Sequence, residues 1–221
     1  MSLKIVVLAK QVPDTRNVGK DAMNADGTIN RAALPAIFNP EDLNALEQAL
    51  RLKDTHPGST VTILTMGPGR AAEIIREGLY RGADNGYLLT DRAFAGADTL
   101  ATSYAIATAI RKIGECDLII GGRQAIDGDT AQVGPEISEW LNIPSVADVV
   151  KINKIEEDVI TVSMDLPGEV EIAKVMFPCL LAVNKDIFQP RLPSYVKKSE
   201  TKEREIKVLS LADMKDTDEM H

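Results

Sequence analysis

Aromatic residues are scarce in this 221-residue chain, at 4%. With so few rings there are no stacking platforms on which to hold single-stranded nucleic acid. Positive charge is also in deficit: 25 Lys and Arg against 33 Asp and Glu leave a formal net charge of −8 and a pI near 4.9. That balance argues against non-specific nucleic-acid binding and against an anionic membrane surface. The two cysteines, Cys116 and Cys179, are far apart in the chain and fit neither a zinc spacing nor a C-x-x-C pair, so they read as buried free thiols. The two histidines, His56 beside Pro57 and the terminal His221, are poorly placed for acid–base work. No run approaches the roughly 18 apolar residues of a membrane span, so membrane insertion is not expected. No G-x-G-x-x-G follows a strand, and there is neither a Walker A sequence nor a G-x-S-x-G elbow. Met1-Ser2 leads directly into Leu3-Lys4-Ile5-Val6-Val7-Leu8, a first strand rather than a signal peptide, and a cytoplasmic protein is the expectation.

The residues present, 44% hydrophobic and 26% charged, suit a soluble globular fold of one domain, or one domain with an appendage. Strand and helix signals alternate. Leu3 to Ala9 is an apolar run, as in a strand buried on both faces. Gln11 to Pro35 reads as a long loop with Gly19, Asn24, Asp26 and Gly27. Asn39 is a good N-cap before Pro40, Glu41 and Asp42, with Leu43, Leu46, Ala49 and Leu50 as the apolar stripe. Strands follow at 60–65, 86–90 and 117–121, with helices at 70–82 and 99–113 between them. This spacing predicts an α/β fold: a doubly wound, mostly parallel, Rossmann-like sheet with helices on both faces. After Pro144, strands at 146–152, 159–164, 170–176 and 180–183 come without helices and predict a mixed β extension. The expected organisation is a nucleotide-binding α/β domain over 1–187 and a C-terminal arm over 188–221. Pro190, Pro193 and the charged run from Lys197 to Lys207 disfavour a buried strand or helix in that arm.

The chemistry concentrates in Gly121-Gly122-Arg123-Gln124-Ala125-Ile126-Asp127-Gly128-Asp129-Thr130-Ala131-Gln132-Val133-Gly134-Pro135-Glu136. A strand precedes this stretch, and Ile137 to Leu141 reads as a helix after it. Strand, glycine-rich turn and helix bring backbone N–H groups close to a phosphate. Asp129-Thr130 either caps the helix or joins Gly128 and Gln132 in holding a nucleotide, with Asp127 available to ribose hydroxyls. Asp98-Thr99-Leu100-Ala101-Thr102 is a second helix start. It is either a plain cap or a diphosphate site, with Thr99 and Thr102 on one face. Leu8, Ala9, Lys10 and Met66 fall at the carboxyl edge of the sheet, where such folds bind ligands. Asn39 is open to two readings, plain cap or ligand contact, as Met66 is to core or ligand contact. Arg123 is either an ion-paired surface residue or a charge beside the ligand.

Several segments together resemble the beta subunit of electron-transfer flavoproteins. They are Ala9-Lys10-Gln11-Val12-Pro13-Asp14-Thr15, Asn39-Pro40 with Ala45 to Lys53, Thr65-Met66-Gly67-Pro68, Arg81-Gly82-Ala83-Asp84 and the glycine-rich turn. The match runs in order over most of residues 3–210. The resemblance implies a heterodimer with a larger alpha subunit that carries an exchangeable FAD. It implies a cofactor site at Leu8, Ala9, Lys10, Asn39, Asp42, Met66, Asp98, Thr99, Thr102 and Arg123. The site continues through Asp127, Gly128, Asp129, Thr130, Gln132, Val133 and Gly134, with no catalytic side chain or metal. Beta subunits of the widespread type hold a structural AMP there. A second type holds FAD and bifurcates electrons from NADH, and this chain is similar to the second type in 10–15, 97–103 and 125–135. The implied function is passage of electrons between NADH or acyl-CoA dehydrogenases, or similar flavin dehydrogenases, and other acceptors. The arm would dock such partners through Leu192 or Tyr195. The resemblance also implies further residues past Met220-His221 that would contact the alpha subunit. A stand-alone nucleotide-binding regulator is the remaining alternative; the chain lacks the Ser-Gly-Gly pyrophosphate loop of nucleotide-activating enzymes.

Overall fold

The computed structural model describes residues 1–14, 34–185 and 187–214. Most of the predicted 11–35 loop and the last residues of the predicted arm lie outside them. A nine-stranded sheet organises the described residues, in the order β11-β5-β4-β1-β6-β10-β7-β8-β9. Its strands are β1 (Lys4–Leu8), β4 (Thr60–Met66), β5 (Asn85–Leu89), β6 (Leu118–Gly122), β7 (Ser145–Glu156), β8 (Val159–Leu166), β9 (Glu169–Met176), β10 (Cys179–Val183) and β11 (Lys207–Leu209). From β11 to β7 every pairing is parallel, and β7, β8 and β9 then run antiparallel. The Rossmann-like α/β architecture with a mixed extension is therefore the observed one. A separate hairpin pairs β2 (Gln11–Pro13) with β3 (Ala36–Phe38) at the two ends of the predicted long loop.

Helices cover both faces because each carries one apolar stripe. On one face α1 (Pro40–Thr55) buries Leu46, Ala49 and Leu50, and α2 (Ala72–Arg81) buries Ile74, Ile75 and Leu79, against Ile5, Val7, Ile63 and Ile120. On the other, α3 (Thr99–Ile113) buries Ala105, Ile106, Ala109 and Ile110, and α4 (Val133–Leu141) buries Ile137, against Val6, Leu64 and Ile119. Tyr104 of α3 meets Trp140 of α4 edge-on at 5.2 Å, and the Trp140 indole donates to Ser103 Oγ at 3.1 Å. The chain leaves β1 toward β4 and β5, then returns to β6 on the other side of β1. That reversal is a topological switch point, and it opens a crevice beyond the carboxyl ends of β1, β4 and β6.

Three details go beyond the sequence reading. Strand β10 does not extend the β7–β9 meander; it inserts between β6 and β7 as a parallel strand. Periodicity marks a strand but not its neighbours. Helix α4 begins at Val133, four residues before Ile137, because Pro135 is tolerated in a first turn, where few N–H groups have partners. The arm adds exposed regular structure, consistent with the expectation that no buried strand or helix forms there: α5 (Tyr195–Thr201) packs on α2, and β11 joins the sheet beside β5. Its density of charge hid a three-residue edge strand, the kind of short, Lys-bearing edge that sheets tolerate. At the opposite edge, Val170, Ile172 and Met176 stand exposed on β9.

Candidate functional site

The crevice is a cleft of about 920 Å³. Leu8, Ala9 and Lys10 line it from the end of β1, and Met66 from the end of β4. Asp98, Thr99 and Thr102 line it from the start of α3, and Arg123 from the end of β6. Gly128, Asp129, Thr130, Gln132, Val133 and Gly134 supply the wall that leads into α4, and Asp42 the floor. Of the predicted cofactor residues, Asn39 and Asp127 alone stand outside the lining.

These two act from behind the wall. Asn39 is fully buried at the head of α1, yet its side chain makes no capping bond. Instead Nδ2 donates to the Gln124 carbonyl at 2.9 Å and Oδ1 accepts the Ile126 amide at 3.2 Å. Asn39 does occupy the N-cap position, as read from sequence, but its side chain is spent on the loop after β6. Glu41 accepts the Gln124 amide at 3.0 Å. Asp42 accepts two backbone amides, Lys10 at 2.9 Å and Gly122 at 3.0 Å. The first turn of α1 thus spends its polar groups on the loops after β1 and β6. Asp127 receives the Lys10 ammonium at 2.6 Å, which ties the β1 end to the glycine-rich turn. Burial pushes the Asp42 carboxyl up to about 7, against the hydrogen bonds from Lys10, Asn39 and Gly122.

The turn itself is built under strain. Asp129 and Ala131 have φ of 47° and 53°, a left-handed backbone that side chains disfavour. Strain of this kind persists where surrounding structure holds it, and it clusters at ligand clamps. The N-cap position of α4 falls at Gln132, which makes no side-chain cap; the Asp129-Thr130 cap expected from sequence is not formed. The first amides of α4 are therefore left to whatever enters the cleft. A Cβ built at Gly128 meets nothing within 4 Å, so the fold does not demand glycine there. At Gly122 a Cβ would lie 2.7 Å from the Glu41 carbonyl carbon, so that glycine is required by the approach of α1.

The start of α3 differs. Asp98 caps it by accepting the Ala101 amide at 2.8 Å. The Thr99 hydroxyl lies 3.2 Å from both Gln132 Oε1 and Glu136 Oε1, which joins the two helix starts. Arg123 pairs with Asp148 at 3.2 Å, the ion pair that one sequence reading anticipated, and it still borders the cleft.

Residues 26–214 match the family model for the electron transfer flavoprotein domain. The chain belongs to that family. Its relatives identify it as a member of the beta-subunit type. It is 45% identical over 216 residues to electron transfer flavoprotein subunit beta of Megasphaera elsdenii, covering 95% of this chain and 79% of that protein. It is 50% identical over 192 residues to the subunit beta of Thermoanaerobacterium thermosaccharolyticum, covering 87% and 72%. It is also 49% identical over 192 residues to subunit CarD of the caffeyl-CoA reductase-Etf complex of Acetobacterium woodii, covering 87% and 72%.

Sequence reasoning missed some of this electron transfer flavoprotein cleft. Leu180 and Ala182 line it because β10 lies beside β6, a neighbour relation with no sequence signal. Phe94 and Gly96 line it from the Thr90 to Thr99 loop, which the sequence places at the binding edge without marking these two residues. Glu136 carries no mark in the sequence beyond its spacing from Gln132, one helical turn. Cys179 is buried and Cys116 half-buried, both as free thiols. Burial pushes them up to about 12 and about 11, with the neighbouring Cys116 and Asp117, respectively, adding to the effect. No helix among the described residues is long and apolar enough to cross a membrane.

Proposed function

We propose that this chain is the beta subunit of a heterodimeric electron transfer flavoprotein whose larger alpha subunit carries its own FAD, and that the cleft binds a second FAD. The observation that carries this reading is one continuous cleft bordered by two helix starts. At about 920 Å³ it stands near the top of the roughly 300–1,000 Å³ range of cofactor pockets, more room than a mononucleotide fills. When bound, the flavin supplies the redox chemistry, and the protein supplies placement and tuning. The fit rests on this chain's own groups. The uncapped start of α4 offers amides to a phosphate, and Gly128 leaves room for close approach. Met66, Leu8 and Leu180 give the adenine end an apolar seat. Electrons would pass between NADH or acyl-CoA dehydrogenases, or similar flavin enzymes, and other acceptors, in the cytoplasm. The exposed Leu192 and Tyr195 of the arm offer an apolar contact to such partners, and the β9 edge with Val170, Ile172 and Met176 offers one to the alpha subunit.

A structural AMP in the same cleft is the second reading. It is favoured by Asp98 already capping α3, while the α4 start has no cap. The test is to purify the heterodimer, release its nucleotides by denaturation and count them. Two FAD per heterodimer supports the first reading; one FAD with one AMP supports the second. A chain that purifies without a larger subunit overturns both and leaves a stand-alone nucleotide-binding regulator.

A further inference from the structure

Between β5 and α3 the wall of the cleft is one chain thick. Phe94, Ala95, Gly96 and Ala97 line the cleft and also line a second cavity of about 420 Å³. None of residues 91–98 is buried, so packing does little to fix this wall. A segment with few buried contacts opens at low cost unless its ends are held. At one end Asp98 accepts the Ala101 amide and joins the wall to α3. At the other end the wall is held by the arm. The Thr90 amide donates to the Leu209 carbonyl at 2.9 Å, and the Leu211 amide donates to Asp91 Oδ2 at 3.1 Å. Asp91 Oδ1 accepts the Ala93 amide at 3.0 Å. One carboxylate therefore joins the first turn of the wall to the end of the arm, and the Ala93 and Leu211 amides hold it below the usual carboxylate range. From Leu211 the chain makes a short 3₁₀ turn to Met214 that packs on α3, and both of these residues line the second cavity.

We infer that Asp91 is a positioning residue that couples the end of the arm, residues 207–214, to the nucleotide cleft. With the Leu211 amide on Asp91 the wall is held against the cleft; without it one end of the wall is released. Coupling of this kind is reciprocal, so a nucleotide that steadies the wall also steadies the end of the arm. The inference rests on the nucleotide reading of the cleft. A partner docked on Leu192 and Tyr195 would then meet an arm whose far end is firm only when the cleft is filled.

The test titrates the purified heterodimer, freed of bound nucleotide, with FAD and separately with AMP. Leu211→Pro removes the amide that Asp91 accepts and leaves the Ala93 bond in place; proline is tolerated at the first position of a helical turn. It should weaken whichever of the two nucleotides the wild type binds more tightly by several-fold, about tenfold at most, the scale of one hydrogen bond to a charged acceptor. Leu211→Ala keeps the amide and should bind like the wild type. Asp91→Asn keeps one acceptor for Ala93 and loses the other, so it should weaken binding too, and adding Leu211→Pro to it should cost nothing more. Hydrogen exchange reads the reverse direction and needs no variant: the tighter nucleotide should slow exchange of the amides in 207–211 of the wild type. In Leu211→Pro that protection should be lost over 207–210. Wild-type affinity in Leu211→Pro, or equal weakening by Leu211→Ala, would overturn the coupling. So would exchange in 207–211 that ignores a nucleotide which protects 127–134, a result that leaves the nucleotide reading intact. A wild-type heterodimer that binds neither FAD nor AMP would overturn that reading and the coupling with it.

Discussion

The buried carboxylate of Asp42 holds Gly122: its Oδ1 accepts the Gly122 amide at 3.0 Å, while Oδ2 accepts the Lys10 amide at 2.9 Å. One side chain of α1 thereby fixes the ends of β1 and β6 on both sides of the switch point. Burial outweighs these two amides and the Asn39 side chain, and it pushes the pKa up to about 7 from the ordinary value of roughly 3.9.

A raised folded-state pKa means that the fold holds a proton which the unfolded chain has released. Its contribution to stability is complete below about pH 4 and is lost as pH rises through about 7. The unfolding free energy of the wild-type protein, from urea titrations, should therefore carry a component that declines from about pH 4 to about pH 7, on the order of a few kcal/mol. In Asp42→Asn that component should vanish, whatever constant cost the amide brings. An unchanged pH slope in the variant would show that Asp42 titrates alike in the folded and unfolded states.

Gly122 and Gly128 should part company on mutation. Gly122→Ala drives a Cβ into Glu41 and should cost about 1–3 kcal/mol of stability, as overpacking does, read as a lower melting temperature. Gly128→Leu meets no protein atom at its Cβ, so the melting temperature should stay put while nucleotide affinity falls. Nucleotide affinity unaffected by leucine at 128, measured by calorimetry, would remove the turn from the site.

Much of this arrangement was legible in the sequence. The boundaries of α3 fall where Asp98 and Gly114 place them, because a cap and a helix-ending glycine are local signals. The alternation of branched strands and striped helices was enough for the parallel sheet and its binding edge. What stayed hidden was tertiary. Asn39 and Asp42 look like helix-start residues in sequence, and only the approach of β6 reveals that they hold another loop. The pairings of β10 with β6 and of β11 with β5 depend on partners about 60 or more residues away, and no local pattern encodes a partner.

Arg123 sits at the cleft rim with its charge partly offset by Asp148, and both side chains are partly exposed. A positive charge beside a bound redox group favours its more negative forms. On the proposed reading that the cleft holds FAD, Arg123→Ala in the heterodimer should lower the potential of that flavin by a few tens of millivolts, where ~30 mV corresponds to ~1.4 kcal/mol for two electrons. Asp148→Asn should raise it, by leaving Arg123 uncompensated. Potentiometric titrations that move in neither variant would reduce the pair to a role in the β7 bulge, where Asp148 has a φ of 53°.

The arm presents its apolar residues from a fixed base. Glu47, buried in α1, accepts the Arg191 amide at 3.0 Å and its guanidinium Nε at 2.8 Å, and it also receives Arg51 Nε at 2.9 Å. Burial alone would push the Glu47 carboxyl up, but these donors outweigh it and hold it below the usual range. Arg81 donates to the Arg191 carbonyl, Arg51 stacks over Phe188 at 4.0 Å, and the Ser194 amide reaches the Tyr80 carbonyl at 2.8 Å. Beyond this anchor Leu192 and Tyr195 are 84% and 86% exposed, so truncating either removes almost no packing within the chain. Leu192→Ala and Tyr195→Ala should therefore keep flavin content and heterodimer stability, yet slow electron exchange with a dehydrogenase partner about tenfold or more if they form the contact's centre. Glu47→Ala should slow exchange as well, for a different reason. It leaves Arg191 without its buried partner, loosens the arm and exposes residues 187–206 to limited proteolysis. Wild-type exchange rates in Leu192→Ala and Tyr195→Ala, with cleavage accelerated in Glu47→Ala, would show a latched arm whose purpose is not docking.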